Sequence, residues 1–213
     1  MNQITTQYIT ENGACYEQYV ITDPAAKTSL TITPERGGMI TGFTLDGDEY
    51  IWTRRPNFSE CNRPRFGVPV LFPSCGNPDG GVHNFEGKAY PMETHGFADL
   101  CAWDVESVGP DGVTLALEST PLTKFLYPFD FTLLVNYNLE GNKALIGLTV
   151  INEGDKPMPF SFGSTPISWP LRWKMWTLTS SAPPAPKMPR ASSPLPRKRS
   201  PSPARRAQTT PSA

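Results

Sequence analysis

The residues best suited to chemistry crowd into one stretch, Arg65 to Trp103, where a buried-strand run and a glycine-rich turn are followed by His95-Gly96-Phe97-Ala98. Glycine beside the imidazole lets the backbone pass close to a ligand, while Phe97 and Trp103 fill the space behind it. The plain alternative for His95 is a core histidine satisfied by a backbone carbonyl. Arg65 offers a guanidinium suited to bidentate contact with a phosphate or with paired hydroxyls, unless it is a surface arginine at a strand start. Asn77, in Gly76-Asn77-Pro78, can hydrogen-bond a ligand hydroxyl, although asparagine before proline is also ordinary turn chemistry. Glu93 stands two residues before His95, where strand alternation would put it on the same face as a possible orienter of the ring. His83, in a Gly-Gly-x-His-Asn turn, reads as solvated. The glycines from Gly76 to Gly81 make no phosphate loop, because no Gly-Lys-Ser/Thr follows and no helix begins. No cluster of ligand-type residues implies a metal, a nucleotide or a redox cofactor.

The elements that would position these groups read as strands. Leu30–Thr33, Val113–Leu117, Phe131–Val135 and Leu145–Val150 are rich in β-branched and aromatic residues with period-two alternation. Leu45-Asp46-Gly47-Asp48, Gly109-Pro110-Asp111-Gly112 and Leu139-Glu140-Gly141-Asn142 supply residues that tolerate positive φ or fix a turn, and predict hairpins. No stretch of a dozen residues keeps a 3.6-residue apolar period. The expectation is an all-β fold, an antiparallel β-sandwich.

Charge divides the chain into two unlike polymers. Up to Gly163 there are 10 Lys and Arg against all 20 acidic residues, whereas Ser164 to Ala213 holds 9 basic residues and no Asp, Glu, Gly or Asn. Two regions follow: 1–163, the folded part, and 164–213, a basic Pro/Ser-rich tail. From Ser180 onward the tail has too few large apolar residues to offset the entropy of ordering and is expected to be disordered. Trp169, Trp173 and Trp176 gather at the junction with no turn signal or alternation to house them. The 4 cysteines, Cys15, Cys61, Cys75 and Cys101, form no C-x-x-C pair, and residues 1–13 lack the apolar core of a secretory signal. A reduced, cytoplasmic compartment is the expectation. No run approaches the length of a membrane span, so no membrane partner is expected.

Arg65-Phe66-Gly67-Val68-Pro69, Leu71-Phe72-Pro73, Gly76-Asn77-Pro78, Gly87-x-x-Tyr90 and His95-Gly96-Phe97-Ala98 with Trp103, in that order, resemble the aldose 1-epimerase (galactose mutarotase-like) family. The nearest branch includes hexose-6-phosphate mutarotases. The resemblance runs from about Tyr19 to Gly163, with Pro34-Glu35-Arg36-Gly37-Gly38 as an upstream anchor. It implies a large two-sheet β-sandwich that needs more chain than is matched here, and interconversion of the α and β anomers of an aldohexose or its 6-phosphate. The implied partner is a small-molecule sugar. Ring opening and closure require one group to take a proton from the C1 hydroxyl and another to deliver one to the ring oxygen. By resemblance His95 is the earlier of two site histidines, polarising the ring oxygen, and Arg65 reaches toward the substrate. The phosphate-using branch follows His-Gly-Phe-Ala with arginine. Here the residue is Asp99, whose carboxylate is expected to repel a sugar phosphate.

After Gly163 the family continues Phe-His-Pro-Tyr-Phe, with the acid histidine second, where this chain reads Ser164-Thr165-Pro166-Ile167-Ser168. Codons TTC CAC CCC TAT TTC with one T removed become TCC ACC CCT ATT TC, which encodes Ser-Thr-Pro-Ile-Ser. Residues from about Ser164 are therefore expected to be an out-of-frame translation; the alternative is a divergent basic tail. With the second histidine and the catalytic carboxylate missing, negligible activity is expected. Two other functions compete. One is a non-catalytic carbohydrate-binding β-sandwich. The other is a nucleic-acid binder using Arg197-Lys198-Arg199 and Arg205-Arg206, set aside because basic character arises readily from GC-rich sequence read out of frame.

Overall fold

A computed structural model describes residues 1–53, 58, 63–110 and 112–168. The expectations for Cys61, for the tryptophan junction and for the remainder of the tail lie outside the described residues.

Alternation decides which way each strand faces. In β11 (Phe131–Glu140) the side chains alternate without a break, with Phe131, Leu133, Val135, Tyr137 and Leu139 buried and the intervening residues half-exposed. Each fully buried apolar side chain of this kind contributes about 1.5–3 kcal/mol. A four-stranded antiparallel sheet forms around it in the order β12 (Lys143–Asn152), β11, β10 (Gly112–Glu118), β9 (Asp104–Gly109). The facing sheet has five strands in sequence order: β1 (Gln3–Glu11), β2 (Ala14–Asp23), β3 (Thr28–Thr33), β4 (Met39–Leu45) and β5 (Asp48–Glu49). β11 packs across β2 and β3, and Ile21, Leu30 and Ile32 from the first sheet share one core with Leu115, Leu133 and Val135 from the second. This is the antiparallel β-sandwich the patterning predicts. The hairpins at 45–48, 109–112 and 139–142 lie where their turn residues place them, with Asp46 and Gly47 at φ 52° and 85°. The one α-helix among the described residues is short, α1 at Pro121–Leu126, opened by a reciprocal Thr120–Thr123 capping box.

Three shorter pieces build the end of the sandwich that carries the chemistry. β6 (Val70–Leu71) pairs with β13 (Gly163–Ser164), and a second hairpin joins β7 (Val82–Phe85) to β8 (Lys88–Pro91). Backbone pairing continues past Gly163. Ile167 N–H donates to the Gly67 carbonyl at 2.9 Å, Trp52 N–H donates to the Ile167 carbonyl at 2.8 Å, and Ile51 bridges Ser168. Beneath this end Phe72, with a cis peptide bond to Pro73, is the hub of an aromatic cluster with Phe97, Tyr127, Phe131 and Phe160.

Candidate functional site

His95 sits third in a four-residue turn, Glu93-Thr94-His95-Gly96, closed by Gly96 N–H donating to the Glu93 carbonyl at 3.1 Å. Both His95 and Gly96 have left-handed backbone, φ 70° and 75°. Glycine is required at the second of these: an added Cβ would come within 2.2 Å of the Phe72 carbonyl oxygen. Phe72 and Gly96 form a parallel bridge, and the Phe72 oxygen accepts from Phe97 N–H at 2.9 Å. A non-glycine residue with positive φ is uncommon and persists only where its surroundings over-determine it. Here Gly76 supplies part of that constraint. His95 N–H donates to the Gly76 carbonyl at 2.8 Å, and Gly76 N–H donates back to His95 Nδ1 at 3.1 Å.

That second bond fixes the chemistry of the ring. A main-chain N–H can only donate, so Nδ1 is the acceptor and the proton of the neutral imidazole belongs on Nε2. The half-buried ring thus presents an N–H donor on its far side. The Gly76 loop is itself tied down, since Cys75 N–H donates to Ser161 Oγ at 2.8 Å. A Cβ at Gly163 would come within 2.5 Å of the Cys75 sulfur, so the two segments lie close.

Asn77 joins the same turn. Thr94 Oγ1 donates to Asn77 Oδ1 at 2.8 Å, which leaves the amide NH2 of this exposed residue for another acceptor. Arg65 is exposed, two residues along the chain from Arg63, whose side chain bonds the Gly96 carbonyl. The structure therefore joins His95 and Asn77 through adjacent residues, Gly76 and Thr94.

Three sequence expectations need correction. Asp99 does not face a ligand. It is 1% exposed, and Arg63 Nη1 donates to its two carboxylate oxygens at 2.5 and 2.6 Å. Burial pushes the Asp99 carboxyl above the usual carboxylate range, and the Arg63 guanidinium pulls it back toward that range. Its charge is met inside the protein, so repulsion of a sugar phosphate does not follow from its presence. Glu93 does not orient the imidazole, because the turn directs its carboxylate to Arg63, with Oε2 at 3.7 Å from Nη2. His83 is only partly solvated: it is half-buried, with Nε2 at 3.3 Å from Ser74 Oγ and the ring against Phe85.

Sequence reasoning missed Arg63. A buried aspartate demands a cation, but nothing in the sequence says that the cation comes from 36 residues upstream. The upstream glycine anchor has a legible role: Gly37 and Gly38 pack against the Asp99 main chain and the Trp103 ring, where an added Cβ would meet atoms at 2.5 and 2.8 Å. Trp103 Nε1–H donates to the Ala98 carbonyl at 2.9 Å behind the site.

A separate cavity of about 240 Å³ opens on the first sheet, lined by Gln7, Gln18, Thr31, Thr41, Glu49 and Thr53 among others. It contains none of the residues above. Its polar groups largely bond one another or the main chain, as in Gln7 to Gln18 and Gln18 to Thr41, and Glu49 accepts from the N–H groups of Phe43 and Ile51. The His95 turn is therefore the better candidate for chemistry. Among the described residues, no group of His, Cys, Asp and Glu could hold a metal ion, and no helix is long and apolar enough to cross a membrane.

Comparison with known proteins bears on the same stretch of chain. The family model of aldose 1-epimerase matches residues 17–167. The plasmid-encoded protein LacX of Lactococcus lactis subsp. lactis is 28% identical over 137 residues, which is 61% of this chain and 44% of LacX. Among solved structures, the Slr1438 protein of Synechocystis sp. PCC 6803 superposes with a TM-score of 0.69 at 31% identity, over 79% of this chain and 58% of that one. A galactose mutarotase related enzyme of Lactobacillus acidophilus superposes with a TM-score of 0.62 at 28% identity, over 70% and 48%. The matched part thus spans about half the length of these relatives.

Proposed function

The chain belongs to the aldose 1-epimerase family, and from that premise we propose that residues 1–163 carry one part of a site for interconverting the α and β anomers of an aldohexose. His95 is its proton-handling group. With Nδ1 occupied by the Gly76 N–H, the Nε2–H is directed outward as a donor to the pyranose ring oxygen, whose negative charge grows as the C1–O bond opens. The Asn77 NH2, freed by the Thr94 bond to its Oδ1, donates to a sugar hydroxyl. Arg65 clamps a hydroxyl pair, or the phosphate of a hexose 6-phosphate, with its planar fork. The observation that carries this reading is the Gly76–His95 pair, which sets the tautomer a ring-oxygen donor needs.

Turnover also needs a base for the C1 hydroxyl and a group to complete proton transfer. Thr165, at the position of the family's second histidine, is exposed, and its hydroxyl is too weak an acid to serve as a general acid near neutral pH. The reading is therefore of a protein with negligible mutarotase activity, whose residues from about Ser164 are an out-of-frame translation. The charge asymmetry at Gly163 and the single-nucleotide relation to Phe-His-Pro-Tyr-Phe support it. Backbone pairing of 163–168 with Gly67–Leu71 is compatible, since strand hydrogen bonds accept most side chains.

Polarimetry and calorimetric titration on the full chain test the proposal with glucose, galactose and glucose 6-phosphate. Saturable binding without measurable mutarotation is the expected result. Near-normal mutarotation rates would refute the inactivity, and the absence of binding to all three sugars would refute the sugar site. Resequencing the DNA around codon 163 decides the frameshift, which an intact frame encoding Ser-Thr-Pro-Ile-Ser would remove. The alternative of a dedicated carbohydrate-binding module shares the binding result and requires that intact frame.

A further inference from the structure

We propose that Arg63 is a positioning residue for His95, clamping both ends of the turn that carries it. This rests on the reading of His95 as the proton-handling group. The turn runs from Glu93 to Gly96, and one guanidinium reaches both of its limits: Nη2 donates to the Gly96 carbonyl at 2.7 Å and lies 3.7 Å from the Glu93 carboxylate. Nη1 is held meanwhile by both oxygens of Asp99. Asp99 is rigid because it is 1% exposed and sits in the 3-10 turn Ala98–Leu100, stacked on the Gly37 main chain. The aspartate is thus the fixed post, the arginine the arm, and the His95 turn the object held.

Two features make this more than a packing interaction. His95 has left-handed backbone, which an L residue leaves when its restraints are removed. The bond from Gly76 to His95 Nδ1 depends on that backbone, because the same rotation that relaxes φ swings the imidazole off the Gly76 amide. Neither Arg63 nor Asp99 hydrogen-bonds the ring; Asp99 also interacts with His95 directly through charge, whereas Arg63 reaches the turn through the Gly96 carbonyl. Arginine is suited to the role since a planar fork serves an anion and a carbonyl at once, which a lysine ammonium serves less well.

The test uses the full chain, labelled with 15N, as wild type, R63Q and D99N. The signals to follow are the hydrogen exchange of the Gly76 amide, normalised to the Leu133 amide in the core, and the two ring-nitrogen shifts of His95. In the wild type the ring nitrogens should be well separated, as an Nε2–H tautomer requires. In R63Q the Gly76 amide should exchange about 10-fold faster or more relative to Leu133, and the ring-nitrogen shifts should move toward one another. D99N, which keeps an acceptor for Arg63 but removes its charge, should show the faster Gly76 exchange at smaller amplitude, and that exchange carries the test if R63Q does not fold, since the lost charge also acts on the ring shifts directly. Wild-type Gly76 exchange and ring shifts in the variant that folds would overturn the proposal, even with lowered overall stability. Hexose titration separates the two readings. A wild type that binds no sugar while the variants show the expected signals refutes the sugar site and leaves the clamp standing. A wild type and R63Q that bind sugar equally tightly refute the clamp and leave the site standing.

Discussion

Replacing Gly96 with alanine should unseat the candidate site and destabilise the whole fold. The added Cβ would lie 2.2 Å from the Phe72 carbonyl oxygen, 2.5 Å from its carbon and 2.8 Å from Pro73 N. All three are main-chain atoms, so no side-chain rotation clears the space. With φ at 75° the new residue is also in the left-handed region, which costs an L residue about 1–2 kcal/mol. Forcing a methyl group into packed structure adds about 1–3 kcal/mol. The Phe72 oxygen accepts from Phe97 and Ala98 N–H at 2.9 and 3.2 Å, and losing one such bond adds about 1 kcal/mol. The sum is about 3–6 kcal/mol, a large part of the 5–15 kcal/mol or so that holds a typical domain together. Urea unfolding followed by tryptophan fluorescence reads this directly, as a midpoint lowered by roughly 1 M or more for a slope of about 1–3 kcal/mol per molar. Gly147→Ala is the control. Its nearest neighbour to a new Cβ is 3.8 Å away and its φ is not left-handed, so alanine in this strand should be neutral or stabilising by about 0.5–1 kcal/mol. Equal midpoints for the two variants would refute the close approach of Phe72 and Gly96.

Three further outcomes are expected. Burial raises the carboxyl of Asp99, so the stability it contributes is fully present below the ordinary aspartate value of about 3.9 and is lost as pH rises through its higher folded value; the urea midpoint of wild type minus that of Asp99→Asn should therefore fall across this window and then level off, and a rising difference would show that pairing with Arg63 outweighs burial. Tyr127→Phe removes the hydroxyl that donates to the Pro159 carbonyl at 3.0 Å and should cost about 0.5–1.5 kcal/mol in chemical denaturation, while a neutral effect would show that this bond contributes nothing to holding the exposed Pro159. His95→Gln should lower hexose affinity at least about 10-fold if the ring donates to the sugar, with a urea midpoint close to wild type; unchanged affinity in calorimetry would remove His95 from the site.

The strands and turns of this protein were legible because they depend on neighbours in sequence. Val113–Leu117 and Phe131–Val135 alternate between core and surface as their residue types dictate, and Asp46-Gly47 turns because those two residues tolerate positive φ. The need for glycine beside His95 was legible too, but its cause was not: the sequence suggested close passage of a ligand, and the structure shows the Phe72 main chain there instead. Partnerships between distant segments were not legible. Asp99 reads in sequence as an exposed charge facing a ligand, and only the folded chain shows it buried on Arg63. Glu93 reads as an orienter of the imidazole, yet the turn at Thr94-His95 breaks the alternation that would have aligned them and gives the ring to the Gly76 amide instead. Sequence alone thus determined the sheet-forming segments and the hairpins. Tertiary structure decided which cation meets which buried anion and which nitrogen of His95 carries the proton, because hydrogen bonding and desolvation depend on atoms brought together across dozens of residues.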